Sequence, residues 1–220
     1  AMNNLNEVEQ KVAESLLQIK AIKLQPKSPF TWASGWKSPI YCDNRITLSH
    51  PAIRTYIRQK LSKLIQEEFG SVDMISGVAT AGIPQGVLVA QDLGLPFSYV
   101  RSSAKDHGRQ NMIEGEVVSG QRVVVVEDLI STGKSSLIAV KALREAGCNV
   151  VGLVSIFTYG LQQATDNFAD AKCPYFSLCN YDALIQVAAE NSYVLEEDVE
   201  ILKKWRLNPA GWGENFNKDQ

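Results

Sequence analysis

The chain has 220 residues and a mass of 24.3 kDa, with 45% hydrophobic and 21% charged residues. That is enough apolar content for one generous core, which at this length buries roughly 70% of the surface of the unfolded chain and excludes global disorder. The 22 basic and 24 acidic residues leave a net charge of −2, so no overall field draws in DNA or a membrane surface, and any anionic ligand has to be caught locally.

Cys42, Cys148, Cys173 and Cys179 match neither a CxxC metal clip nor a short disulfide framework, which predicts a reducing, cytoplasmic setting. No run approaches 18 consecutive apolar residues, and Ala1 to Gln10 is polar and acidic, so neither a membrane span nor a signal peptide is expected.

In chain order, Val8, Val12, Leu16 and Ile19 recur at helical spacing and predict an amphipathic helix up to about Lys23. Between Pro26 and Ser49 the mixture of Pro, Gly, Ser and aromatic residues predicts short strands and turns in a lobe outside the main sheet. Pro51 suits a helix start, with Ser49 or His50 as cap, and Ile53, Ile57, Leu61, Leu64 and Ile65 continue a stripe that should end near Gly70. From there strands and helices alternate: DMISGV, a helix from about Ile83 to Leu93, FSYVR and a loop, then VVVV at 123–126 and a helix through Ala146. CNVVGLVSIF, a helix around Gln162 to Ala169 and YFSL complete the pattern, while the Asn-, Gly- and Pro-rich tail from Arg206 to Gln220 suggests loose order. Continuous Val/Ile runs separated by helices indicate the α/β class, a mostly parallel sheet covered on both faces. The expected division is an N-terminal helix and lobe (1–48), an α/β core (49–205) and a C-terminal tail (206–220).

The segment VVVVEDLISTGKSS at 123–136 is the most informative. A buried strand delivers Glu127 and Asp128 at its C-terminal edge, and Ser131, Thr132, Gly133, Lys134 and Ser135 follow at a helix start. Free N–H groups of a helix N-terminus, hydroxyls and a Gly that permits close approach form a phosphate cradle. The acids would repel a phosphate, so they call for sugar hydroxyls or a divalent cation, and the whole describes a site for a phosphorylated sugar. The same residues would also serve as a capped strand-to-helix connection. A Walker A loop is excluded because Asp128 stands five positions before Gly133, where that motif needs Gly, and no GxGxxG follows a strand.

VVVVEDLISTGKSS resembles the 5-phosphoribosyl-1-diphosphate (PRPP) motif of the type I phosphoribosyltransferases. FTWASGWKSPIYCDNR at 30–45, GVATAGIP at 77–84, VRSSAKDHG at 100–108 and SIFTYGL at 155–161 are similar to the orotate phosphoribosyltransferases of that family, and the resemblance covers about residues 8–205. It implies the type I phosphoribosyltransferase fold with a small N-terminal hood lobe, and transfer of 5-phosphoribosyl from PRPP to orotate in pyrimidine synthesis. It also implies a cytoplasmic enzyme and Mg²⁺ held mainly through PRPP, with no direct protein ligand.

The run Arg101 to Gly115 reads by itself either as a solvated loop or as a cationic lid over a diphosphate. The resemblance implies the lid, with Arg101, Lys105 and His107 contacting the diphosphate, in a homodimer whose sites are shared between subunits. It places PRPP on those three residues, on Glu127, Asp128, Leu129, Ile130, Ser131, Thr132, Gly133, Lys134 and Ser135, and on the turn Thr80–Ala81. Ser131, Tyr41 and Cys42 are expected to border orotate. Another branch carries Tyr-Lys at Thr80–Ala81, Lys at Ala33 and an orotate-contacting Arg at Tyr159, and Lys37 is a candidate replacement. The alternatives are a phosphoribosyltransferase for a purine or uracil, and a PRPP-sensing regulator that binds nucleic acid. The net charge of −2 and the mere 25 or so residues ahead of the lobe speak against the second.

Overall fold

The structure, a computed structural model, describes residues 5–103 and 112–216. Helix α1 (Glu7–Gln18) starts where the Asn6 side chain accepts from the Glu9 N–H at 2.7 Å, with Glu7 and Glu9 at the positive end of the helix dipole. It buries Val12, Ala13, Leu16 and Leu17. The helix is shorter than its periodicity predicts, because Lys20 adopts φ 60° and the chain leaves as strand β1 (Ile22–Leu24).

The predicted lobe follows. Strands β2 (Phe30–Thr31) and β3 (Lys37–Ser38) form one antiparallel pair, and β4 (Ile40–Cys42) pairs antiparallel with β1. A 3₁₀ turn at Asn44–Ser49 leads into α2 (Pro51–Phe69), with Pro in its first turn. His50 occupies the cap position without a side-chain cap bond, so Pro51 and the following stripe carry the helix start.

The core alternates β5 (Met74–Val78), α3 (Gly82–Leu93), β6 (Phe97–Val100), β7 (Ile113–Glu114) and β8 (Arg122–Ile130). Helix α4 (Lys134–Glu145), β9 (Asn149–Thr158), α5 (Gln162–Asp170) and β10 (Tyr175–Asn180) continue it. The sheet order is β10-β9-β8-β5-β6-β7, parallel throughout except for β7 against β6. β5 is buried along its whole length and Val123 to Val126 are fully buried, as a sheet covered on both faces requires. From β5 the chain steps outward to β6, then returns to the other side of β5 as β8 and continues to β9. The reversal lies between β5 and β8, and ligands of open α/β sheets bind at the carboxyl edge of such a point.

Two further helices, α6 (Tyr181–Glu190) and α7 (Glu196–Leu207), carry the chain on from β10. The expected loose tail is corrected: α7 runs into it, and α8 (Pro209–Phe216) follows. Trp205 is fully buried and donates its indole N–H to the Lys37 carbonyl at 3.2 Å, while Gly213 lies directly on the Lys37 side chain. The C-terminal helices thus seat on the β2–β3 hairpin.

Candidate active site

β8 turns polar where it reaches the carboxyl edge. Glu127 is only 5% exposed; one carboxylate oxygen accepts from the Asp128 N–H at 3.0 Å and the other from the Ser136 hydroxyl at 3.0 Å. Burial pushes the Glu127 carboxyl well above its ordinary range, and the charge of Asp128 pushes it further. Burial also raises Asp128, against the hydrogen bond from the Glu127 side chain, which holds it down. Two neighbouring acids with little water are relieved by hydroxyl donors or a cation, so the edge is chemically prepared for a polyol.

Beyond the acids, Gly133 takes φ +83°, and a Cβ there would lie 2.5 Å from the Phe168 ring of α5. Only glycine fits both the backbone and the contact. Asn167, beside Phe168, donates to the Thr132 carbonyl at 3.0 Å, so α5 braces the loop from behind. Helix α4 then begins at Lys134 with no side-chain cap bond, leaving its positive end to the cleft. On the facing side, a Cβ on Gly82 would lie 2.6 Å from the Val126 carbonyl. The absence of a side chain there lets α3 start against β8 and brings the Ala79–Ala81 turn opposite the loop.

The two loops enclose a cleft of ≈ 540 Å³. Of the expected residues, Thr80, Ala81, Glu127, Asp128 and Leu129 line it, as do Ser131, Thr132, Gly133, Lys134 and Ser135. Ile130 does not line it: its side chain is fully buried in the core and its carbonyl accepts from the Tyr159 N–H at 3.2 Å. Arg101 stands at the end of β6, its N–H donating to the Met112 carbonyl at 2.8 Å and its guanidinium 3.6 Å from Glu114; it does not line this cleft. Lys105 and His107 lie outside the described residues. The run read as a loop from Arg101 to Gly115 ends in a strand, because β7 pairs with β6. A larger groove of ≈ 680 Å³ lies between the β7–β8 connection and the end of α4, but its charged walls, Glu116 and Glu145, repel an anion.

Tyr41 is 42% exposed on β4, its ring 5.7 Å from Phe30. The Cys42 thiol, pushed up by burial, donates to Asn44 Oδ1 at 3.1 Å, and Asn44 Nδ2 donates to the Asp128 carbonyl at 3.0 Å. The base-side strand is therefore tied to the acid pair through one amide. Lys37 donates to the Thr31 hydroxyl across the hairpin at 2.6 Å, beneath α8 and outside the cleft lining. Tyr159, where another branch carries Arg, is 2% exposed, with Trp32, Phe157, Trp205 and Tyr181 rings at 5.2, 5.6, 5.6 and 6.5 Å. It closes the end of β9 with an aromatic plug instead of a cation.

Residues 46–192 match the phosphoribosyl transferase domain. An orotate phosphoribosyltransferase of Bacteroides fragilis is 57% identical over 208 residues, covering 94% of this chain and 98% of that protein. The solved orotate phosphoribosyltransferase of Aeropyrum pernix is similar at TM-score 0.73 and 26% identity, over 84% of this chain and 99% of its own. That of Mycobacterium tuberculosis in complex with PRPP reaches TM-score 0.63 and 25% identity, over 80% and 98%. Since the fold, the placement of the cleft at the sheet reversal and a nearly full-length match agree, the chain belongs to the phosphoribosyltransferase family, in its orotate phosphoribosyltransferase branch.

Proposed function

We propose that the chain transfers the 5-phosphoribosyl group of PRPP to orotate, giving orotidine 5′-phosphate and diphosphate for pyrimidine synthesis in the cytoplasm. The observation that carries the reading is the acid pair, Glu127 buried and Asp128 half-buried, directly ahead of the uncapped start of α4, within a chain so close to named orotate phosphoribosyltransferases. Among the described residues no helix is long and apolar enough to cross a membrane.

Glu127 and Asp128 accept from the ribose hydroxyls, whose protons replace the water that the buried acids lack. The first-turn N–H groups of α4, with the hydroxyls of Ser131, Thr132 and Ser135, hold the 5′-phosphate at the positive helix end. The Thr80–Ala81 turn brings backbone to the diphosphate. Arg101, Lys105 and His107 approach the diphosphate from the β6–β7 connection, in the neighbouring subunit's site of a homodimer. As the anomeric bond breaks, positive charge grows on the ribose ring beside the acids and negative charge grows on the diphosphate beside the cations. Catalysis is therefore electrostatic, with water excluded, and needs no covalent nucleophile. Orotate arrives as an anion and docks against Ser131 and the Tyr41–Cys42 strand.

The carboxylates of Glu127 and Asp128 are hard donors of the kind Mg²⁺ takes, but the described residues include no cluster of three or more His, Cys, Asp or Glu around one point. The ion would ride mainly on PRPP oxygens, with Asp128 and Glu127 the residues to hold it on the protein side, and would supply neutralisation of charge on the leaving diphosphate.

Orotate's ultraviolet absorbance, followed after addition of PRPP and Mg²⁺ with adenine, hypoxanthine and uracil as parallel acceptors, tests the reading. Loss of the orotate signal, dependent on both additions, is expected; conversion of another base alone would overturn the choice of base. Shared sites are tested by mixing Lys105→Ala and Asp128→Asn chains, each inactive alone. About a quarter of wild-type activity returns if half the dimers are hybrids with one intact site each. No recovery after verified subunit exchange would place each site within one chain.

A further inference from the structure

Asn44 sits in the 3₁₀ turn that leads out of the hood, and it is 2% exposed. The Asp128 carbonyl can only accept, so the Asn44 amide is oriented with Nδ2 on that carbonyl at 3.0 Å and Oδ1 left for the Cys42 thiol at 3.1 Å. The Asn44 backbone carbonyl accepts from the Thr47 hydroxyl at 2.6 Å, and that hydroxyl accepts from the Gln85 amide on α3 at 3.4 Å. Thr47 is fully buried and Gln85 is 2% exposed. One buried polar chain thus joins three elements that each face a different part of the substrates: the base-side strand, the acid pair and the helix behind the Thr80–Ala81 turn.

A buried polar chain is a costly way to fill space, because every group in it has to be kept satisfied. Its ends are specific. Both peptide units that flank the Asp128 Cα are held, the preceding one through its N–H by Glu127 and the following one through its carbonyl by Asn44. Rotation of either would swing the Asp128 carboxylate away from the cleft.

We propose that Asn44 is a positioning residue for PRPP: by holding the Asp128 carbonyl it sets the carboxylate on the ribose hydroxyls, and through Cys42 it keeps the base-side strand in register with them. The proposal rests on the transferase reading above.

The test is steady-state kinetics with orotate and PRPP on full-length Asn44→Ala, Asn44→Asp and Thr47→Val, with thermal melts alongside. Asn44→Ala is expected to raise the KM for PRPP about tenfold, the fold-change near the net worth of one hydrogen bond, while kcat changes less than threefold. Asn44→Asp keeps the shape but sets an acceptor against the Asp128 carbonyl, so at pH 8 it is worse than Asn44→Ala. Lowering the pH returns a proton to the new carboxyl and brings its KM back toward wild type. Asp43 on the hood side and Glu127 and Asp128 on β8 titrate in both proteins, while Cys42 stays a thiol and Arg45 a cation at pH 8 and below, so the ratio of variant to wild type at each pH isolates the new group. Thr47→Val shifts the PRPP KM in the same direction by a smaller factor.

A folded Asn44→Ala whose PRPP KM stays within twofold of wild type overturns the proposal, as does an Asn44→Asp ratio that does not change with pH. If both fail to fold, an unchanged PRPP KM in Thr47→Val overturns it. Wild type inert toward orotate would instead overturn the transferase reading.

Discussion

Gly133 and Gly35 share a left-handed backbone, φ +83° and +88°, in opposite surroundings. Gly133 lies in the phosphate cradle, where an added Cβ would strike Phe168 at 2.5 Å; Gly35 turns the β2–β3 hairpin of the hood with nothing within 4 Å. At the first position the backbone itself is the binding surface, braced by α5, and no side chain can be added without moving it. The hood is held instead by rings. Trp32 contacts Trp36, Tyr159 and Trp205 at 6.1, 5.2 and 5.4 Å, and its indole N–H donates to the Ile40 carbonyl at 3.0 Å. The phosphate end is thus specified by main-chain geometry and the base end by side-chain packing.

The largest expected effect is on the ring-built side. Trp205→Ala removes the fully buried centre of the aromatic cluster and should cost about 3–5 kcal/mol in denaturant titration. In the fraction that folds, the KM for orotate should rise more than that for PRPP; an equal rise in both would erase the contrast between the two ends.

Next, Gly133→Ala combines left-handed strain with the Phe168 contact and shifts the cradle, for which a loss in kcat/KM of about a hundredfold is expected. Full activity in that variant would show that the cradle is not rigid.

Smaller is the pH-dependent effect of the acid pair. Burial raises the folded value of Glu127 above its ordinary 4.5, so its contribution to folding is whole below that value and is lost as pH climbs through the higher folded one. Glu127→Gln, neutral at every pH, should therefore melt about 2–4 °C above wild type at pH 8 without ligand, the shift made by ~1 kcal/mol in a chain of this size. The gap closes toward pH 5, while PRPP affinity falls at pH 8. A variant melting at or below wild type at pH 8 would mean the pair carries no electrostatic strain. Smallest of all, Gly35→Ala should lower stability by about 1 kcal/mol and leave the kinetics within twofold.

The phosphate end was readable in the sequence because it is local: an apolar run, two acids and a glycine before a helix occupy residues 123–136 and need no partner to be recognised. The base end depends on residues far apart in the chain. Tyr159 is buried because Trp32 and Trp205 reach it from either end of the chain, which no spacing reveals. Helix α6 escaped the periodicity because Tyr181, Ala183, Leu184, Ile185, Val187 and Ala188 are all buried, which leaves only the narrow row Asp182, Gln186 and Glu190 as its polar face. Its signals were instead the Asn180 cap and, for α7, the acids Glu196 to Asp198 opposite Lys204 and Arg206. Asn44 carried no signal of its own, since a buried amide in a turn looks like any other turn asparagine.

The distribution of tryptophan has a practical consequence. All four, Trp32, Trp36, Trp205 and Trp212, belong to the hood and the C-terminal helices seated on it, and none lies in the stretch that holds the acid pair and the phosphate loop. Intrinsic indole emission is therefore a one-sided optical gauge. It follows the hood while staying blind to the cradle, so titrating the two substrates singly and in either order reads out which of them moves the hood, with no label attached.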